Sequence, residues 1–218
     1  GKTEFAQQLS KEIKNKDGSK RPFLEINCST LKRVDDFFEQ IFLPIIYNNE
    51  VTILFDEAHE LPKGVTNAFL TIFNTDKSHI KDFNYNDQVF TFDFTKQTFF
   101  FATTESDKVF APLRDRLVTV DFEPYTQNEL SEIIKLNCED IDFSTEALYQ
   151  LSKITRGNAR DAVLHSKEHI IPHCMKKNIQ YFDEKDFFTL KDDVGINDLG
   201  LTNTEKEILQ ILKHRGSC

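Results

Sequence analysis

The chain has no tryptophan and a single methionine, Met175. Glycine and proline number only 7 and 6 among 218 residues, and no low-complexity tract or internal repeat appears. Positive charge is the scarcer sign: 27 Lys and Arg stand against 36 Asp and Glu, a net charge of −9. A stand-alone nucleic-acid binder is usually basic, so this stretch should not grip DNA strongly by itself. No apolar run approaches membrane-spanning length and no secretory leader is visible, so a cytoplasmic protein without membrane contact is expected. Cys28, Cys138, Cys174 and Cys218 lie far apart without metal-ligand spacing, and read as reduced packing thiols. What is abundant is phenylalanine, 21 residues, within a 39% hydrophobic composition. That suffices for one large domain or two small ones with a real core.

Four short stretches carry the chemistry. They are Gly1-Lys2-Thr3, Ile53-Leu54-Phe55-Asp56-Glu57, Ala102-Thr103-Thr104 and Ala111-Pro112-Leu113-Arg114-Asp115-Arg116. Thr52 to Phe55 reads as a buried strand. Two carboxylates follow at its carboxyl end, where ligands bind in parallel α/β sheets. There one carboxylate can hold Mg²⁺ and the next can orient or deprotonate a water. Gly1-Lys2-Thr3 is the tail of a P-loop, Gly-x-x-x-x-Gly-Lys-Thr, whose lysine reaches the β- and γ-phosphates and whose threonine ligates Mg²⁺. A helix is expected from Thr3, with Phe5, Ala6, Leu9 and Ile13 at helical spacing and Gly18 at its end. Phosphate would sit on its amino terminus. The first loop glycine and the strand before it are not in the chain, so its true beginning is expected upstream.

Strand and helix alternate up to Pro124, which argues for a parallel sheet. Pro22–Asn27 reads as a strand. Val34–Tyr47 reads as a helix with Phe37, Phe38, Ile41, Phe42 and Ile45 on its apolar face. A helix from about Pro62 to Phe73 follows, then strands at Phe99–Ala102 and Val118–Phe122. Beyond Pro124, strand signals stop. Thr126-Gln127-Asn128-Glu129 and Thr202-Asn203-Thr204-Glu205 are capping boxes. Helices are expected over about 127–137, 145–154, 158–176 and 184–190. Residues 79–94 read as a β-hairpin, with Phe90, Phe92 and Phe94 on one face and Asn84-Tyr85-Asn86-Asp87 as its turn. That aromatic face either packs on its own domain or docks a partner.

Taken together, the P-loop tail, Asp56-Glu57-Ala58-His59, Ala102–Thr104, Pro112–Arg116, Arg156-Gly157-Asn158-Ala159-Arg160 and Gly195–Leu201 resemble the RuvB family. Its members are AAA+ ATPase motors of bacterial Holliday-junction branch migration. The resemblance runs over nearly the whole chain. It implies an α/β P-loop (AAA+) domain over 1–123 with a hairpin insertion near 79–94, an all-α lid over 124–191, and a linker plus first helix of a truncated winged-helix domain over 192–218. The cofactors implied are ATP and Mg²⁺. Gly1, Lys2, Thr3 and Glu4 would meet the nucleotide, with Thr3 and Asp56 on Mg²⁺. Glu57 would polarise the attacking water, and Thr104 looks like the sensor-1 residue. Arg116 looks like an arginine finger reaching a neighbouring subunit, and Arg160 like the sensor-2 residue. Tyr125 stands where the family has a tyrosine beside the base, and reads equally well as a packing aromatic.

The resemblance also implies a homo-oligomeric ring, a hexamer. It implies branched DNA bound through a mostly missing carboxyl-terminal domain, and a junction-binding RuvA-like protein docked on the hairpin. Glu60, Asn74, Thr75 and Glu105 depart from the family pattern and bear on partner and DNA contacts. A clamp-loader or helicase-loader subunit is the alternative within the same chemistry. A catalytically inactive assembly subunit is the alternative outside it.

Overall fold

The computed structural model describes residues 1–74 and 79–216, so Thr75 and Cys218 lie outside it. The chain divides into two compact units, Gly1–Phe122 and Glu123–Cys218.

The first unit runs through α1 (Lys2–Glu12), β1 (Phe23–Asn27) and α2 (Val34–Phe37), which widens into a π-helical segment (Phe38–Ile46). It continues through β2 (Val51–Asp56), a 3-10 turn (Ala58–Glu60), α3 (Lys63–Ile72), β3 (Ile80–Tyr85), β4 (Gln88–Asp93), β5 (Gln97–Phe101) and the short α4 (Ala111–Arg114). The parallel sheet has the order β1-β2-β5. In the central strand β2, Phe55 pairs with Ile26 on one side and Phe101 on the other. Every residue from Val51 to Phe55 is buried, as an inner parallel strand covered on both faces requires. Ile53 and Phe55 face a core with Phe37, Phe42, Phe69 and Phe92. Leu54 faces Ala6 of α1 and Ala102 on the other side.

Four expectations are corrected here. Helix α1 ends at Glu12; Phe5 and Leu9 are exposed, and Ala6 and Ser10 are its buried residues. Gly18 serves a separate turn instead, at φ +82°, between the bridged residues Lys14 and Lys20. In the second helix Ile46 faces the core, whereas Ile45 is exposed. Pro44 has no N–H to donate, and the wider π turns move the apolar face on by one residue. Residues 118–122 form no strand. They have no ladder partner among the described residues, and Val118 is 95% exposed. Of that segment Phe122 finds a ring partner, Phe5, at 5.3 Å.

The hairpin forms over β3 and β4, closed by Asn86 and Asp87, both at positive φ as a tight two-residue turn demands. Its aromatic face packs inward. Phe92 is fully buried, Phe90 lies against Tyr47, and Tyr85 stacks on Phe38 at 4.5 Å. The Tyr85 hydroxyl donates to Asp35 and Glu39, at 3.2 and 3.3 Å. The opposite face carries Ile80, Asp82, Asn84, Val89 and Thr91, all exposed.

The second unit is helical: α5 (Gln127–Asn137), α6 (Thr145–Ile154), α7 (Ala159–His165), a π segment (Ser166–Ile170), α8 (Ile171–Lys177), α9 (Glu184–Val194) and α10 (Asn203–Arg215). A two-stranded parallel ladder of β6 (Asp142–Phe143) and β7 (Tyr181–Phe182), which the sequence did not suggest, ties the starts of α6 and α9. Leu130, Ile134, Leu148, Leu151, Ile170 and Phe187 fill the core. Cys28, Cys138 and Cys174 are buried free thiols, as expected for packing residues. No helix of the described residues is long and apolar enough to cross a membrane.

Candidate functional site at the carboxyl end of the sheet

The site grows from β2. Its ladder runs past the strand end: the Ala102 N–H donates to the Phe55 carbonyl at 2.9 Å, and the Ala58 N–H to the Ala102 carbonyl at 2.8 Å. Between these two anchors lie Asp56 and Glu57. Asp56 Oδ1 accepts the Glu57 N–H at 3.0 Å, and Asp56 Oδ2 accepts the Thr3 hydroxyl at 3.0 Å. Helix α1 thus presents its first turn to the carboxylate. The amides of Lys2, Thr3 and Glu4 precede the first intrahelical bond, Phe5 N–H to Gly1 carbonyl, and so have no acceptor within the helix. The Glu4 carboxylate is engaged by Gln8 along the helix surface.

Glu57 adopts a left-handed backbone, φ 53° and ψ 49°. That conformation costs a non-glycine residue about 1–3 kcal/mol and clusters at functional positions. It persists because the turn is over-determined: Asp56 holds the Glu57 amide, and Glu57 accepts the Glu60 N–H at 2.9 Å. The Glu57 carboxylate is faced by the Thr104 hydroxyl at 3.5 Å, which comes from the loop after β5. Beneath it the wholly buried Cys28 thiol is pushed up to about 12, by burial first and then by the nearby Asp56 and Glu57 charges. This thiol stays protonated and inert.

His59 enters the same cluster with 8% of its side chain exposed. Its Nδ1 lies 2.9 Å from Thr103 Oγ1 and 3.6 Å from Glu57 Oε2. Its Nε2 lies 3.5 Å from Glu60 and 3.3 Å from Glu105. The sequence offered His59 and Glu105 separately, and Thr103 only as part of a strand-end motif. Their meeting follows from a crossover between neighbouring strands, which no local pattern encodes.

In the first unit, the described contacts of Arg114 and Arg116 are with their own loop. Arg116 is exposed and donates to the Pro112 carbonyl at 2.6 Å, while Arg114 donates to the Ser106 carbonyl at 3.0 Å. In the helical unit Tyr125 packs against the local core. Arg160 opens α7, its amide capped by Asn158 at 2.9 Å and its side chain exposed. The preceding turn has Arg156 at φ 52° and Gly157 at φ 80°.

The donor set suits Mg²⁺ chemistry. Mg²⁺ is commonly held by one or two carboxylates together with substrate phosphates and water, and not by an all-protein cage. A hydroxyl and a carboxylate 3.0 Å apart at a helix amino terminus fit that pattern. Accordingly, no group of three or more metal-ligating side chains occurs among the described residues. A cleft of the first unit, about 590 Å³, is lined by Val51 and Pro22 at the opposite end of the strands.

A parallel sheet with helices on both faces, an acidic pair at the end of its central strand and a helix amino terminus beside that pair are the marks of the AAA+ P-loop fold. This chain has that fold. Solved structures of RuvB are among those that match it. The Thermotoga maritima RuvB Holliday junction branch migration motor matches with a TM-score of 0.77 and 20% identity, over 100% of this chain and 66% of that one. A mutant of Thermotoga maritima RuvB matches with a TM-score of 0.78 and 21% identity, over 100% of this chain and 67% of that one. At this identity the likeness is one of fold. No family model matches the chain. No curated protein matches it either.

Proposed function

We propose that this chain carries the ATP-hydrolysing core of a RuvB-like AAA+ ring motor, a cytoplasmic protein that moves branched DNA in recombination and repair. The observation that carries the reading is the Thr3 hydroxyl on Asp56 Oδ2 at 3.0 Å, with Glu57 next in the chain. Bound Mg²⁺ would neutralise phosphate charge between Thr3 and Asp56. Lys2 and the amides of Lys2, Thr3 and Glu4 would bind the phosphates. Glu57 would orient the attacking water and draw off its proton, and Thr104 would hold that water and the γ-phosphate in line. Such catalysis is mostly positioning and charge neutralisation. Arg160 would act on the phosphates as a sensor-2 residue, and Tyr125 would meet the base.

Arg116 would act on a neighbouring subunit's nucleotide in a hexameric ring. Its exposure and its place on a turn after α4 agree with a group presented outward. A RuvA-like partner would meet the outer face of the hairpin, Asp82, Asn84, Val89 and Thr91, because the aromatic face is taken up by the protein's own core.

The test is a mixing experiment. In the full-length protein, Arg116→Ala and Glu57→Gln should each bind ATP normally and hydrolyse it poorly. An arginine finger is worth about 10³–10⁵ in rate. Mixed rings contain interfaces with an intact pocket and an intact finger, so combining the two dead proteins should restore part of the ATPase. Mixed rings that form and recover nothing would refute action in trans. ATPase without movement of branched DNA, but with opening of a ring partner, would favour a loader subunit.

A further inference from the structure

We infer that His59 is a positioning residue: it ties the Glu57 carboxylate to the loop Thr103–Glu105, so that the groups directing the attacking water hold one geometry. The inference rests on the proposed ATPase reading. It starts from four polar contacts on one nearly buried ring, divided two and two between its nitrogens. Carboxylate oxygens of Glu60 and Glu105 on one side call for an N–H at Nε2. On the other side the Glu57 carboxylate, beside the Thr103 hydroxyl, calls for a second N–H at Nδ1, so the ring holds both sides as the imidazolium, in which both nitrogens donate.

A histidine that served only to fill space would not need this division. Two of its partners are themselves held in place. Thr103 Oγ1 accepts the Glu105 amide at 3.0 Å, which closes the loop on itself. Lys108 pairs with the Glu105 carboxylate. The backbone bond from Ala58 to Ala102 keeps the two segments in register. His59 is therefore a side-chain link between the turn that carries Glu57 and the loop that carries Thr104, beside the longer Thr104–Glu57 contact. Without it, the Glu57 carboxylate keeps its long contact to Thr104 but loses the neighbour that limits its rotation. A reacting group displaced by about 1 Å can cost about a hundredfold in rate while substrate binding survives.

Asparagine places an amide near the position of Nδ1, whereas glutamine reaches the position of Nε2, so the two substitutions separate the two sides of the ring. In the full-length protein, His59→Ala and His59→Gln should lower kcat for ATP by about tenfold to a hundredfold at unchanged Kd for MgATP. His59→Asn should keep most of the rate. Without nucleotide, hydrogen exchange at the Glu105 amide should quicken in the alanine and glutamine variants and not in the asparagine variant. If His59→Ala fails to fold, Glu105→Ala and Glu105→Gln test instead whether the imidazole ring needs its Nε2 anchor to hold Nδ1 against Glu57. Glutamine there keeps an oxygen acceptor, and the alanine variant alone should lose rate. An alanine variant as active as wild type while Glu57→Gln is dead would overturn the role, as would an asparagine variant as slow as alanine. Either result would leave the ATPase reading intact. A wild-type protein that hydrolyses no ATP would remove both.

Discussion

The two units carry their structural information at different ranges. In the helical unit, α5, α6, α7, α9 and α10 each begin with a side-chain cap, from Thr126, Ser144, Asn158, Asp183 and Thr202. In the α/β unit, α1, α2 and α3 begin with no side-chain cap. Their ends are set by what they pack on. The cores differ in the same sense. The α/β unit is built on phenylalanines gathered from four separate segments, Phe37 and Phe42, Phe55, Phe69 and Phe92. The helical unit is mostly aliphatic, from helices that follow one another closely. Capped helices with near neighbours are specified before tertiary contact, whereas a parallel sheet must bring distant segments together first.

The sharpest way to break that comparison is to remove Phe69. Its ring lies 5.1 Å from Phe55, 5.4 Å from Phe73, 5.4 Å from Phe101 and 5.9 Å from both Phe37 and Phe99. Deleting a buried phenylalanine costs about 3–5 kcal/mol. Phe69→Ala should therefore remove most of the α/β unit's stability in urea titrations. Hydrogen exchange should show β2 and β5 losing protection while α5 and α6 keep theirs. Equal loss in both units would mean that they unfold as one.

The same difference in range explains what could be read from the sequence. The capping boxes at Thr126 and Thr202 gave the starts of α5 and α10 to the residue. The run Thr52–Phe55 gave β2 because an inner parallel strand is apolar throughout. By contrast, the alternation Val118, Val120 and Phe122 suggested a strand that lacks a ladder partner among the described residues. Periodicity reports a face, not a neighbour. The shift from Ile45 to Ile46 depended on π turns around Pro44, which a 3.6-residue period cannot foresee. At the site, Asp56 and Glu57 were legible as a local pair, and the contact of Asp56 with Thr3 agrees with that reading. The His59 cluster was not legible, because Thr103 and Glu105 reach it only through the pairing of β2 with β5.

Two glycines of the helical unit sharpen the comparison from the other side, since both have left-handed backbones. Around Gly157, at φ 80°, an added Cβ would meet nothing within 4 Å. At Gly200, at φ 73°, it would lie 2.1 Å from the Ile154 carbonyl oxygen. Gly157→Ala should then cost the conformational term alone, about 1–2 kcal/mol. Gly200→Ala should add an overpacking term of about 1–3 kcal/mol. Thermal melts of the two variants would measure the gap. Equal costs would show that the turn over α6 is free to move and that local backbone preference decides both positions.

The smallest expected effect concerns how α10 is held to its unit. Glu205 accepts the Thr202 amide at 2.7 Å and the Thr202 hydroxyl at 2.9 Å, and Arg156 donates to it at 3.0 Å. The Thr202 amide first, then Arg156, lower its pKa from 4.5 to about 2. Glu129 makes the same box with Thr126 and is also lowered, by the Thr126 amide and hydroxyl, with no arginine among the causes. A carboxyl group whose pKa falls on folding contributes its stabilisation fully above the unfolded value. It loses that contribution as pH drops through the folded value. The start of α10 should therefore stay capped from neutral pH down through 4.5 and loosen only as pH approaches 2. The carboxyl carbon shift of Glu205, followed by NMR against pH, measures this directly. Arg156→Ala should move its titration upward, toward the ordinary glutamate range. If the wild-type Glu205 already titrates near 4.5, neither the Thr202 amide nor Arg156 holds its carboxylate in solution. Helix α10 would then be held by the Thr202 hydroxyl on the Glu205 amide and by the Gly200 turn.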